Sequence, residues 1–266
     1  MLAFNHLGTL GRLANQMFQY ASLRGMAARK GYDFGIPPSN FENEWQNHQL
    51  FEVFELPHLP KQNIRFLDNG HAPVVQEKTF TYDKELHDLC PNEVSLWGFF
   101  QSEKYFKDIE GSIKEDFTFK ENILQPCKEM GDSFDNAISL HVRRTDYIPN
   151  KANHFNLGLD YYEKALSKFD KDRTVVVFSD DPKWCQEQEF FAGDRFLISE
   201  SDDNAIDLCL MTFCNSHIIA NSSFSWWGAW LAGSKEVIAP KTWFGPNNAH
   251  KSLKDLYPSH WKIIPS

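Results

Sequence analysis

Two arginines, a histidine and an aspartate crowd into one short stretch, His141-Val-Arg143-Arg144-Thr145-Asp146-Tyr147. A guanidinium presents a planar fork of donors, which suits a diphosphate or carboxylate better than a point charge does. The stretch follows Ala137-Ile-Ser-Leu140, an apolar run that reads as a buried strand. Side chains alternate along a strand, so Ile138, Leu140 and Val142 share one face while Ser139, His141 and Arg143 share the other. An imidazole and a permanent cation then emerge together at the carboxyl end of a central strand, the edge where open α/β sheets hold ligands. The same residues have a purely structural use, an arginine pair neutralised by Asp146.

Three further clusters carry chemistry. Gly11-Arg12-Leu-Ala-Asn15-Gln16 places a cation and two carboxamides at a strand-to-helix turn, where free amides and the helix dipole favour an anion. Its glycine spacing is not that of a dinucleotide fingerprint, and Asn15 as an ordinary N-cap is the simpler reading. Ser179-Asp180-Asp181-Pro182 ends a second apolar run. Its paired acids suit a divalent metal or a purine base, but capping the next helix, with proline in its first turn, is the commoner role and metal the weaker reading. Asn221-Ser222-Ser223-Phe224-Ser225 offers hydroxyls and amides that can cradle phosphate oxygens, or again a cap. Trp226, Trp227 and Trp230, interleaved with Gly228 and Ala229, read as core rather than as a sugar platform.

The elements that must hold these clusters alternate. A strand from Leu2 to Leu7 leads to a helix from about Asn15 to Lys30, closed by Gly31. Phe18, Ala21, Gly25 and Ala28 share a face of that helix, and their small size predicts close packing on a sheet. Residues 38–93, broken by Pro57, Pro60 and Pro73, show no long element and are the expected place for an acceptor-specific insertion. A strand over Val94–Phe100 and a helix over Ser102–Lys114 follow. Beyond the central motif come a helix near Asp160–Phe169, a strand over Thr174–Phe178, a helix through Ile206, Cys209, Leu210 and Phe213, and strands at His217–Ala220 and Val237–Ala239. Strands alternating with helices imply an α/β fold with parallel sheets.

Composition narrows the function. The 266 residues carry a net charge of −9, which argues against nucleic acid as a partner and requires any anionic substrate to meet a local cationic pocket. The five cysteines form no zinc-type spacing; their odd number and the lack of a signal sequence predict reduced thiols and a cytoplasmic location. No window reaches the length of a membrane-crossing helix, no anchor is expected before the first strand, and peripheral association with the inner face of a membrane stays open.

Taken together and in order, Gly11-Arg-Leu-Ala-Asn15-Gln16, His141-Val-Arg-Arg-Thr-Asp-Tyr147 and Asn221-Ser-Ser-Phe-Ser-Trp-Trp-Gly228 resemble the α-1,2-fucosyltransferases of glycosyltransferase family 11, in the compact form of its bacterial members. The central motif is also similar to that of α-1,6- and protein O-fucosyltransferases. The resemblance implies a GT-B-like fold of two Rossmann-like lobes: an acceptor-side lobe over residues 1–150 and a GDP-fucose-binding lobe over 151–266. It implies GDP-β-L-fucose as donor, inversion at the anomeric carbon, no cofactor or essential metal, and transfer to the 2-hydroxyl of a terminal galactose on a glycan. Carried onto this chain, Arg143 grips the β-phosphate, His141 lies beside the nucleotide, Asn15 faces the donor sugar or reaction centre, Asp180 contacts guanine, and Ser222 and Ser223 contact phosphate. Arg12, Gln16, Asn221 and Phe224 complete the expected substrate-binding set. Ala14 stands where the family often has glycine, which tightens the turn.

Inversion asks for a base near the acceptor hydroxyl. Asp146, His154 and Asp160 follow the central motif and are the candidates; Asp146 is expected to be tied to Arg144 instead, and His154 lies in a flexible-looking Asn-His-Phe-Asn stretch. The competing expectations are a fucosyltransferase of another linkage, α-1,6 or protein O-linked, and a non-catalytic protein that binds a sugar nucleotide or glycan.

Overall fold

The computed structural model describes residues 1–39, 47–59, 72–131, 134 and 136–266. They divide into two compact units, Met1–Lys120 with Lys251–Pro258, and Glu121–His250 with Ser259–Ser266. The division falls at Lys120 rather than at 150. The strand bearing His141 is paired on both sides by strands of the second unit, so a cut at 150 would remove a central strand from its own sheet. The return of 251–258 to the first unit is anchored by Asp255, which accepts from the Tyr82 amide at 3.1 Å and pairs with Lys104 at 2.6 Å.

The first unit runs β1 (Leu2–Ala3), α1 (Leu13–Lys30), β2 (Phe34–Gly35), α2 (Leu50–Val53), β3 (Val74–Gln76), α3 (Lys84–Leu89), β4 (Val94–Trp97) and α4 (Glu110–Asp116). Its described strands form a parallel sheet in the order β2-β1-β4-β3. Helix α1 starts at Leu13, with Arg12 as its N-cap residue, and ends at Gly31, whose φ of 64° supplies the left-handed cap. Asn15 is therefore inside the helix and is not its N-cap. A Cβ on Gly25 would lie 1.9 Å from the Tyr105 carbonyl oxygen. The glycine thus serves a close approach to the backbone at 105–106 and not, as its spacing suggested, to the sheet. β4 stops at Trp97 because Glu77 accepts from the amides of Phe99 (2.9 Å) and Phe100 (3.0 Å) and turns the chain. The expected helix over 102–114 is two short 3-10 turns followed by α4. The described part of the 38–93 segment supplies α2, β3 and α3, so it is in part sheet framework; Pro60 lies outside the described residues.

The second unit runs α5 (Glu121–Gly131), β5 (Ile138–Val142), α6 (Leu159–Leu166), β6 (Val175–Ser179), α7 (Pro182–Glu187), β7 (Phe196–Ile198), α8 (Asn204–Met211), β8 (Ser216–Ile218), α9 (Ser223–Ala232), β9 (Glu236–Pro240) and β10 (Lys262–Ile264). Its described strands form a parallel sheet in the order β10-β9-β8-β5-β6-β7. The chain steps outward from β5 through β6 to β7, then restarts at β8 on the other side of β5. That is the doubly wound order, and its switch point lies between β5 and β8. Every residue of β5 is buried, as a strand covered on both faces requires. Ile138, Leu140, Val142, Tyr161, Val175, Val177 and Ile218 form the core beside it. Trp226 and Trp227 are fully buried, and all five cysteines are free and buried. Among the described residues no helix is long and apolar enough to cross a membrane.

Candidate active site

The carboxyl ends of β5, β6 and β8 deliver three of the sequence clusters to one edge of the second unit. Asp180, just beyond β6, accepts from the amides of Arg144 (2.8 Å) and Thr145 (3.0 Å) and from the Thr145 hydroxyl. It thereby fixes the backbone turn that leaves β5. Burial by itself would raise the Asp180 carboxyl, but the Thr145 hydroxyl, the Arg143 guanidinium and the Arg144 amide outweigh it and hold the group below its ordinary value. The expected guanine contact is thus engaged in organising the motif. Its neighbour Asp181 accepts from the Trp184 amide at 3.2 Å as the N-cap of α7 and pairs with Arg144 at 3.3 Å. The capping reading holds for Asp181.

Arg143 projects from this turn with its side chain 16% exposed. Its Nη2 lies 2.7 Å from Asp146 Oδ1, and its Nε lies 3.4 Å from Asp180 Oδ2 without the alignment of a hydrogen bond, so that shielded donor is unsatisfied. Asp146 is therefore the partner of Arg143. The expected tie to Arg144 does not form, because Arg144 turns to Asp181 and lies 3.6 Å over the Trp184 ring. Tyr147 stands 5.4 Å from the Arg143 guanidinium and donates its hydroxyl to the Asn221 carbonyl at 3.0 Å. Burial pushes that phenol up to about 12.

His154 stacks on Tyr147 with ring centroids 4.1 Å apart, and its backbone bridges to Phe244. The stretch that looked flexible is held by these contacts. Burial lowers the His154 pKa; Asp146 opposes that shift and Arg143 adds to it, so the ring is neutral near pH 7. Asp160 lies apart from this network, on the surface of α6, paired with Lys164 at 3.0 Å.

His141 is 3% exposed, with Nδ1 2.9 Å from Ser225 Oγ and its ring 5.5 Å from Phe224. Burial, then Arg143, depress its pKa to about 3 against the pull of Asp180. Ser222 is the N-cap of α9, accepting from the Phe224 amide at 3.3 Å, so its hydroxyl takes the capping role. Ser223 opens the helix. Asn221 is 1% exposed and spends its amide on the carbonyls of Phe155 and Trp243, both at 2.8 Å. Its Nδ2 group pins two loops. Among the described residues, the edge brings together the Arg143 guanidinium, the neutral His141 imidazole and the amino terminus of α9, a set that can bind an anion and strengthen its hold as charge grows.

The first unit's edge is built from carboxamides. Asn15 Oδ1 accepts from Gln101 Nε2 at 2.6 Å. Gln16 is 3% exposed and bridges the Gly11 carbonyl (3.3 Å) and the Gln49 amide (3.0 Å), so both ends of its carboxamide are engaged in closing the loop. Gln19 donates to the carbonyls of Leu10 and Gly98, both at 3.1 Å. Arg12 is exposed beside them. Gln101 and Gln19 were not anticipated, and no local spacing in the sequence marks them.

With this geometry in view, comparisons with known proteins are consistent across the chain. A model described as glycosyl transferase family 11 matches residues 3–265. The O-antigen biosynthesis glycosyltransferase WbnK of Escherichia coli is 29% identical, covering 93% of this chain and 97% of that protein. An alpha-1,2-colitosyltransferase of Escherichia coli is 30% identical over 88% and 90%. Galactoside alpha-(1,2)-fucosyltransferase 1 of Bos taurus is 28% identical over 85% and 66%. Among solved structures, the fucosyltransferase NodZ from Bradyrhizobium matches with a TM-score of 0.55 at 13% identity, covering 89% of this chain and 94% of that one. POFUT1 in complex with GDP-fucose matches with a TM-score of 0.54 at 11% identity, over 90% and 97%. At such identities the structural likeness establishes the fold, two Rossmann-like units of the GT-B-like class.

Proposed function

This chain belongs to glycosyl transferase family 11, and we propose that it transfers L-fucose from GDP-β-L-fucose, with inversion, to the 2-hydroxyl of a terminal β-galactose on a glycan. The observation that carries the donor half is Arg143 beside a neutral His141 at the switch point of the second unit's sheet. The galactoside half draws on the names of the mammalian relatives. In this reading the second unit takes the nucleotide and the first unit takes the acceptor. The Asp180 and Asp181 carboxylates are occupied by amides, a hydroxyl and arginines, which supports a reaction that needs no metal there.

As the fucosyl C1–O bond breaks, negative charge gathers on the departing GDP. Arg143 strengthens its hydrogen bonds to the β-phosphate as that charge develops, and only such differential binding accelerates the step. Its loss should cost roughly 3–4 kcal/mol of transition-state stabilisation, about 10²–10³ in rate. Asp146 is committed to Arg143, so the neutral His154 beside that pair is the better placed of the two remaining base candidates.

The test is GDP release from GDP-fucose in EDTA, with and without lactose, for wild type and Arg143→Ala. Lactose-dependent release that survives chelation and collapses in the variant supports the donor, the metal-free route and the role of Arg143. Release that requires added metal ion contradicts the metal-free route. One relative's name favours a second reading, a colitosyl donor with the same α-1,2 linkage. A donor panel at fixed acceptor separates the two.

A further inference from the structure

We propose that Ser225 is a positioning residue that holds His141 in the tautomer protonated at Nε2, so that the site offers the donor diphosphate a neutral N–H. This rests on the reading that the second unit's edge takes the GDP end of the donor. The contact that does this joins the end of β5 to the first turn of α9, and so spans the switch point where the ligand is expected.

The assignment rests on the relative lengths of the contacts that one hydroxyl makes. Ser225 Oγ accepts from the Ala220 amide at 3.2 Å. Its single proton then has two acceptors within reach, His141 Nδ1 at 2.9 Å and the Ser222 carbonyl at 3.4 Å. The shorter contact takes it. A neutral imidazole that accepts at Nδ1 carries its proton at Nε2, because one ring nitrogen donates and the other accepts. The opposite arrangement would put a lone pair at Nε2 and repel a phosphate oxygen.

The surroundings keep the ring neutral. The charged groups facing His141 are Arg143, from its own strand end, and Asp180, from beyond β6; α9 contributes Ser225 and the Phe224 ring. Burial and Arg143 both disfavour an imidazolium, and Asp180 only partly offsets them. An imidazolium beside Arg143 would in addition meet like-charge repulsion, whereas a neutral donor does not. Division of labour follows: Arg143 supplies the charge, and His141 supplies direction.

The direct test needs no variant. Histidine-specific nitrogen-15 shifts of the unliganded wild type should give a pyridine-like Nδ1 and a pyrrole-like Nε2 for His141, unchanged from about pH 5 to about pH 8. His141→Gln serves only to assign the signal among the ten histidines. Ser225→Ala should lose that tautomer preference and weaken GDP binding about tenfold, the usual scale for one hydrogen bond to a charged group. Ser225→Thr, which keeps the hydroxyl, should restore both. A protonated Nδ1 in the wild type overturns the proposal, as does a Ser225→Ala protein that keeps both the tautomer and the GDP affinity. The expected tautomer in a wild-type protein that binds no GDP would uphold the lock and remove the donor reading instead.

Discussion

The strand-end edge of the second unit is made of charge, and that of the first is made of carboxamides. In the second, Arg143 pairs with Asp146 and Asp180 while Arg144 pairs with Asp181, and the Arg144 amide, donating to Asp180, ties the two sets into one turn. In the first, Asn15, Gln16, Gln19 and Gln101 exchange hydrogen bonds with backbone and with each other. Both edges lie at the ends of parallel strands, so the fold alone does not distinguish them. Side-chain chemistry does. A guanidinium suits a diphosphate that gains charge in the transition state, while amides suit hydroxyl-rich sugars, where a fixed charge would be costly to desolvate.

The contrast breaks most visibly at Arg143. Arg143→Lys should lose most of the rate that Arg143→Ala loses, about 10²-fold, since an ammonium lacks the planar fork; steady-state turnover on GDP-fucose and lactose reads this out. A lysine variant with near-wild-type turnover would show that only charge is needed. Next comes Asp180→Ala. It strips acceptors from the Arg144 and Thr145 amides, and should cost about 1–3 kcal/mol of stability in addition to activity. Denaturant melts of the pair Asp180→Ala and Arg143→Ala separate the two effects, because only the first should lose much stability.

A pH experiment sharpens the same comparison. His141 and His217 are buried neutral, each with a pKa depressed to about 3 by burial. In the unfolded chain they titrate near the ordinary value of about 6.5. The unfolded state therefore binds more protons below that value, and stability present above it is lost as pH falls toward about 3. Melts of wild type and of His141→Gln across this range should show a shallower acid limb in the variant. In the first unit, Gln101→Ala should lower turnover by about tenfold through a loosened Asn15 yet leave GDP affinity unchanged. The smallest effect belongs to Asp160→Asn. Its ion pair is exposed, so stability should change by under about 0.5 kcal/mol, with turnover unaltered.

What could be read in the sequence was the set of elements whose burial is written as an apolar run, unbroken over 175–178 and interrupted only by Ser139 and His141 over 137–142. Residues 137–142 and 174–178 announce strands covered on both faces, and they are β5 and β6. The short edge strands β7 and β10 lack such a run, and α5 hides behind Pro126. The donors of the site were visible because Arg and His are chemically conspicuous. Their partners were not. Asp180 acts on amides 35 and 36 residues away and Gln101 on a side chain 86 residues away, and no local spacing encodes a pairing made by the fold. The same limit explains why Asn221 and Gln16 looked like ligand contacts. A buried carboxamide bonding to backbone and one facing a substrate have the same sequence signature.

The measurement that tests the division most directly is calorimetric titration of GDP into wild type, Arg143→Ala and Gln101→Ala. The account predicts that affinity falls by about tenfold or more in Arg143→Ala, the scale of a lost charge-assisted contact, and that Gln101→Ala binds as the wild type does. Undiminished affinity in Arg143→Ala, with loss in Gln101→Ala, would contradict it and move the nucleotide to the first unit.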